Sequence, residues 1–121
     1  MTRSALVRVL RVVPAVAWAA GVWWLSSRSD PPGSGLLDLP QLDKVGHAGL
    51  FFVQTVLLRL AGLRVVPALL VAAGLGVADE LHQGAVPGRT PQLADFAADL
   101  AGAVLGASAV RWLAPGRRSA R

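Results

Sequence analysis

The chain contains no cysteine, which excludes a disulfide framework, a thiolate metal site and a cysteine nucleophile. It is also poor in charge. Charged residues fill 16% of its 121 positions, where soluble chains carry about a quarter. Only seven residues are acidic: Asp30, Asp38, Asp43, Asp79, Glu80, Asp95 and Asp99. The net charge of +5 does not point to nucleic acid, because the basic residues sit singly at the ends of apolar runs and form no patch with interleaved aromatics. There is no H-E-x-x-H metal-binding spacing. Nor is there length for a second core, so residues 1–121 read as one domain.

What is present is apolar. Hydrophobic residues make up 54% of the chain and gather into segments at Val9–Leu25, Val45–Ala61, Val65–Leu81 and Leu93–Leu113. A bilayer-spanning helix needs about 20 apolar residues, with about 17 as the lower limit. Three of the four segments are therefore short, with ends in the headgroup zone. The pattern predicts an all-α integral membrane protein of four transmembrane helices in an antiparallel bundle, over about 9–25, 45–61, 65–81 and 91–113. A basic tail follows at 114–121, suited to anionic lipid. The lipid bilayer is thus the first partner, and a multi-pass membrane location is expected.

Arginine placement predicts the orientation. With the N-terminus inside, the inner face carries Arg3, Arg8, Arg11, Arg59, Arg64, Arg111, Arg117, Arg118 and Arg121, against Arg28, Lys44 and Arg89 outside. The positive-inside rule favours this N-in/C-in arrangement. Trp23 and Trp24 then mark the outer interface, Trp112 the inner one, and all seven acids fall toward the outside. The first segment resembles a signal peptide in its arginine-rich start. Pro14 interrupts its apolar stretch, however, and Trp18, Trp23 and Trp24 are bulky near any cleavage point, so it is read as a retained helix.

The connections follow turn chemistry. Ser26 to Leu42 is the longest, broken by Pro31-Pro32-Gly33-Ser34-Gly35, with Leu36 to Leu42 expected along the outer surface. Asp43 reads as the N-cap of helix two. Gly62 lies in a tight turn that makes helices two and three a hairpin, and Pro87-Gly88 turns the outer Gly84–Arg89 loop. Thr90 and Pro91 read as N-cap and first residue of helix four.

The chemistry concentrates between Asp79 and Gly102, where four acids, an imidazole and Arg89 stand between uncharged apolar runs. Such a cluster costs free energy unless its members are paired or wet. Helical spacing sorts the polar residues into stripes: Asp43, His47 and Gln54 on helix two; Gly76, Asp79, His82 and Gln83 on helix three; Asp95, Asp99, Gly102 and Gly106 on helix four. The G-x-x-x-G step lets a neighbouring backbone approach closely. Plainer readings compete one at a time. Asp43 suits a helix N-terminus, Asp43 could satisfy His47 four residues on, His82 could be solvated, and Lys44 and Arg89 could be countercharges closing the bundle.

Three motifs in order carry a resemblance. Asp43-Lys44-x-x-His47, then Asp79-Glu80-Leu81-His82-Gln83 with Val86-Pro87-Gly88-Arg89, then Asp95-x-x-x-Asp99-x-x-Gly102 resemble the VanZ-like family of small bacterial membrane proteins. Ser26-Ser27 resembles its serine-rich exit from helix one, and the likeness spans Ser26 to about Gly106. Asp99 departs from the pattern, standing where the family usually has Asn. The resemblance implies a multi-pass bundle and, through the family's namesake, low-level resistance to the glycopeptide teicoplanin.

Three classes of function suit these residues. One is an envelope protein whose outer pocket, built from Asp43, Lys44, His47, Gln83, Arg89, Asp95 and Asp99, binds a cationic or amide-rich ligand such as a lipoglycopeptide or a peptidoglycan precursor. Another is an enzyme on a lipid-linked or phosphate-bearing envelope substrate. There Asp79 or Glu80 would be general base, His47 or His82 acid/base, and Lys44 with Arg89 an anion clamp. The third is a structural ion network. Imidazole and carboxylate also suit a divalent metal on Asp43, His47, Asp79, His82, Asp95 and Asp99, though the sequence leaves metal and cofactor unknown.

Overall fold

The computed structural model describes residues 1–28 and 40–113, and these form four α-helices: α1 Arg3–Ser26, α2 Pro40–Leu60, α3 Val65–Ala85 and α4 Leu93–Leu113. The Pro31–Gly35 breaker, the Leu36–Leu39 stretch and the tail beyond 113 lie outside the described residues. The helices α1, α3 and α4 are each long and apolar enough to cross a membrane.

The helices α1, α2 and α3 extend beyond their apolar segments, and α4 begins after its expected first residue, for local reasons. Thr2 caps α1 by accepting from the Ala5 N–H, so the helix starts at Arg3 rather than at the first apolar run. In α2, Pro40 is the first residue, where its fixed φ suits a helix and its missing N–H costs nothing. Asp43 therefore lies in the first turn of α2 and is not its N-cap. The helix α3 continues through the polar residues to Ala85, placing His82 and Gln83 on the helix. The start of α4 is Leu93: the Gln92 carbonyl accepts from the N–H groups of Asp95 and Phe96, so Thr90 and Pro91 precede the helix. Gly62, at φ +112°, makes the turn between α2 and α3, where a side chain would be strained.

Consecutive helices alternate in direction. Leu58 and Ala68, near the α2–α3 turn, pack against Ala15 in the middle of α1, while Phe51, Ala72 and Ala103 form the next layer with Val22 and Leu75. The closest approach is nevertheless between α2 and α4, which run parallel. Gly102 lies against the Ala48 backbone and Gly106 against that of Phe52, so the G-x-x-x-G step is the seam of this pair. Ala103, Ala107 and Val110 complete the buried side of α4. By contrast α1 is mostly exposed, with Ala15 and Ser26 its buried residues. Its Trp18 Nε1 donates to the Leu50 carbonyl at 2.9 Å, tying it to α2. The exposed apolar residues of α1, among them Leu10, Val13 and Val16, suit acyl chains rather than water.

Candidate functional site

The alternation brings the C-terminal ends of α1 and α3 and the N-terminal ends of α2 and α4 to the same end of the bundle, and the polar residues gather there. They form two groups on either side of a cavity.

The first group joins α2 to α4. Lys44 Nζ donates to Asp43 Oδ2 at 3.1 Å, to Gln92 Oε1 at 3.0 Å and to Asp95 Oδ1. His47 places Nδ1 at 2.8 Å from Asp99 Oδ1, while its Nε2 lies 3.8 Å from Asp95 and 3.9 Å from Asp43. Asp43, four residues before His47, is thus near but too far for a hydrogen bond; Asp99 is the partner. Asp99 is 1% exposed, and its Oδ2 has no hydrogen-bond partner among the described residues.

The second group joins α3 to α1. Asp79, also buried, accepts from the Ser26 hydroxyl at Oδ1 and from Gln83 Nε2 at Oδ2, the latter at 3.2 Å. One turn of helix separates Asp79 from Gln83, which is why both face the same side. Arg89 reaches back from the α3–α4 loop and donates through Nη1 to the Arg28 carbonyl at 3.0 Å.

The cavity between the groups has a volume of about 110 Å³ and is lined by Ser26, Asp43, His47, Asp79, Gln83 and Arg89 over a floor of Leu25, Leu50 and Phe51. Beside it a larger apolar groove of about 510 Å³ runs between α1 and α2, walled by Pro14, Trp18, Val22, Trp24 and Leu57. Leu25 and Leu50 line both spaces.

Two candidates lie apart from this cavity. The His82 ring stacks on Trp23 at 3.9 Å between centroids and meets the Ser27 hydroxyl at 2.7 Å, so it is held against the end of α1. Glu80 faces α4, where its Oε2 accepts from the Gln92 N–H at 3.1 Å. Gln92, Ser26 and Ser27 are the polar participants that helical spacing did not single out. Ser26 and Ser27 carried a signal, as the first polar residues after a long apolar run, but nothing local says which carboxylate they meet.

Ser26→Ala is expected to lower stability by about 1–3 kcal/mol, because it strips a buried carboxylate of one of its two hydrogen bonds. Thermal unfolding in detergent checks it. An unchanged midpoint would mean that Asp79 finds another donor.

Compared with known proteins, the chain matches one family description, VanZ/LLP1, over residues 4–114. No curated protein and no solved structure matches it.

Proposed function

This chain belongs to the VanZ/LLP1 family, and from that premise we propose that it is a VanZ-like envelope protein that binds the polar head of an amphiphile at the outer face of the bacterial inner membrane. In this reading residues 1–121 form one multi-pass domain with both termini inside, and α2 is the fourth span.

The observation that carries the reading is the pairing of the two spaces. A polar cavity that shares Leu25 and Leu50 with an apolar groove can hold a head in one and an alkyl chain in the other. The charge balance sets the kind of head. Asp43, Asp79, Glu80, Asp95 and Asp99 stand against Arg28, Lys44 and Arg89, and Lys44 is already engaged by two carboxylates. An amide-rich or cationic head therefore fits better than a free anion. At about 110 Å³ the cavity admits a head fragment, not a whole glycopeptide. A lipoglycopeptide such as teicoplanin would be held by its acyl chain and one polar group, lowering its effective concentration at the target. A peptidoglycan precursor presents the same combination of amides and lipid.

The test compares a susceptible bacterial host with and without the chain. The chain should raise the inhibitory concentration of teicoplanin more than that of a deacylated derivative, and Gln83→Ala should abolish the gain at equal membrane levels. An inhibitory concentration unmoved by the chain would sink the reading. One observation favours a second reading. His47, which lines the cavity and pairs with the buried Asp99, is a workable proton-transfer group, so turnover of a lipid-linked envelope substrate, lost in a His47 variant, would move the assignment to an enzyme. The engagement of Lys44 by Asp43, Asp95 and Gln92 argues against its use as a phosphate clamp.

A further inference from the structure

Two sets of three side chains around His47 have metal-ligating atoms within 4.8 Å of one another: Asp43, His47 and Asp95 on one side of the ring, and His47, Glu80 and Asp99 on the other. They differ in one respect. Lys44 Nζ already bonds both Asp43 and Asp95, so the first set is supplied with a cation by the chain itself.

Among the described residues no lysine or arginine bonds the second set, and it holds two orphaned atoms. Glu80 Oε1 and Asp99 Oδ2 are buried side-chain oxygens with no hydrogen-bond partner among the described residues. Buried carboxylate oxygens are nearly always satisfied, and two beside one imidazole make an unsatisfied, negatively charged recess. Asp99 Oδ2 points toward α3: a Cβ built on Gly76, one turn before Glu80, would stand 3.4 Å from it. Asp99 itself is 1% exposed, so water does not supply the missing donor from bulk.

We infer that His47, Glu80 and Asp99 form a binding site for a divalent cation of the zinc or manganese type, bridging α2, α3 and α4. One imidazole nitrogen and two carboxylates suit such ions. The ligand atoms of a tetrahedral zinc lie about 3.3 Å apart when its bonds are 2.0–2.2 Å. The 2.8 Å separation of His47 Nδ1 and Asp99 Oδ1 is already near that bite. Coordination through Nδ1 leaves Nε2–H toward Asp43 and Asp95, the outer acidic partners that commonly orient a metal-bound imidazole. Three protein ligands leave a position open for water or a carbonyl oxygen. Of the three, His47 also lines the cavity. The assignment does not rest on amphiphile binding, and it is tested without it.

The experiment uses the full chain in detergent, purified without a polyhistidine tag, stripped with chelator and titrated with zinc or manganese by calorimetry. Saturable binding of one ion per chain and a rise in unfolding temperature are expected. Glu80→Gln keeps an acceptor for the Gln92 N–H but loses the orphaned anionic oxygen. It should weaken binding by about 100-fold, at or beyond the upper end of what loss of an outer-sphere partner costs. Asp43→Asn should cost no more than about 10-fold, the lower end of that range, since it alters only an outer partner 3.9 Å from Nε2. Cobalt substitution should give a four-coordinate visible spectrum in the parent and not in Glu80→Gln. Absence of saturable binding, equal binding in Glu80→Gln, or a loss confined to Asp43→Asn would each overturn the assignment.

Discussion

Gly102→Ala is expected to destabilise the protein by about 3 kcal/mol or more, at or beyond the top of the range for overpacked interiors. A Cβ at this position would stand 2.0 Å from the Ala48 carbonyl oxygen and 2.7 Å from its carbonyl carbon and Cα. These are backbone atoms of α2 and cannot rotate aside. Relief requires α4 to withdraw by more than 1 Å, on the order of the gap to ordinary van der Waals contact. Asp99 precedes Gly102 by less than a turn and His47 precedes Ala48 by one residue, so the withdrawal also opens their ion pair. Gly106→Ala acts in the same way, with a Cβ 2.4 Å from the Phe52 oxygen. Gly74 is the control. It lies within α3 with nothing within 4 Å of a built Cβ, so alanine there should be neutral or stabilising by up to about 1 kcal/mol. Denaturant or thermal unfolding in detergent reads all three. Equal midpoints for Gly102→Ala and the parent would show that α2 and α4 do not meet at this seam.

His47→Ala, measured with chelator present, is expected to cost about 3–5 kcal/mol, the usual penalty for leaving one member of a buried ion pair without its partner. Asp99 is almost wholly buried and its Oδ1 has His47 as its hydrogen-bond partner, so removal of the imidazole strands a carboxylate. The companion substitution separates charge from packing. Asp99→Asn keeps an oxygen acceptor for Nδ1–H and removes the negative charge, and should stay within about 1 kcal/mol of the parent. Adding Asp99→Asn to His47→Ala should recover most of the loss, because a neutral amide is cheaper to bury unpaired than a carboxylate. A double variant no more stable than His47→Ala alone would mean that the charge of Asp99 is not what His47 offsets.

Much of the helical content was legible because bilayer-length apolar runs have few alternatives. Their ends were less legible. Segments at 45–61 and 65–81 understated α2 and α3, which extend through polar residues at Pro40 to Lys44 and His82 to Ala85. Backbone hydrogen bonding continues through such residues whenever their side chains find partners on neighbouring helices. Asp43, Asp79 and Asp99 could be placed on faces by their spacing. Their partners could not be, since His47 stands four residues from Asp43 yet bonds Asp99, which is 52 positions away.

The sequence alone determined the chemical inventory: an apolar chain with carboxylates, an imidazole and cations at matching helix ends, and a glycine pair able to admit a backbone. Its motifs also pointed to the family that residues 4–114 match. Only the tertiary structure decided which of these groups meet. It turned α2 and α4 into a parallel pair in contact at Gly102 and Gly106, set Lys44 between Asp43 and Asp95, turned His82 onto Trp23, and left oxygens of Glu80 and Asp99 unpaired beside His47. The physical reason is range. Helical periodicity orients residues three and four apart, whereas charge pairing across helices depends on axial offset and distance, which are set by the small residues at a remote packing seam.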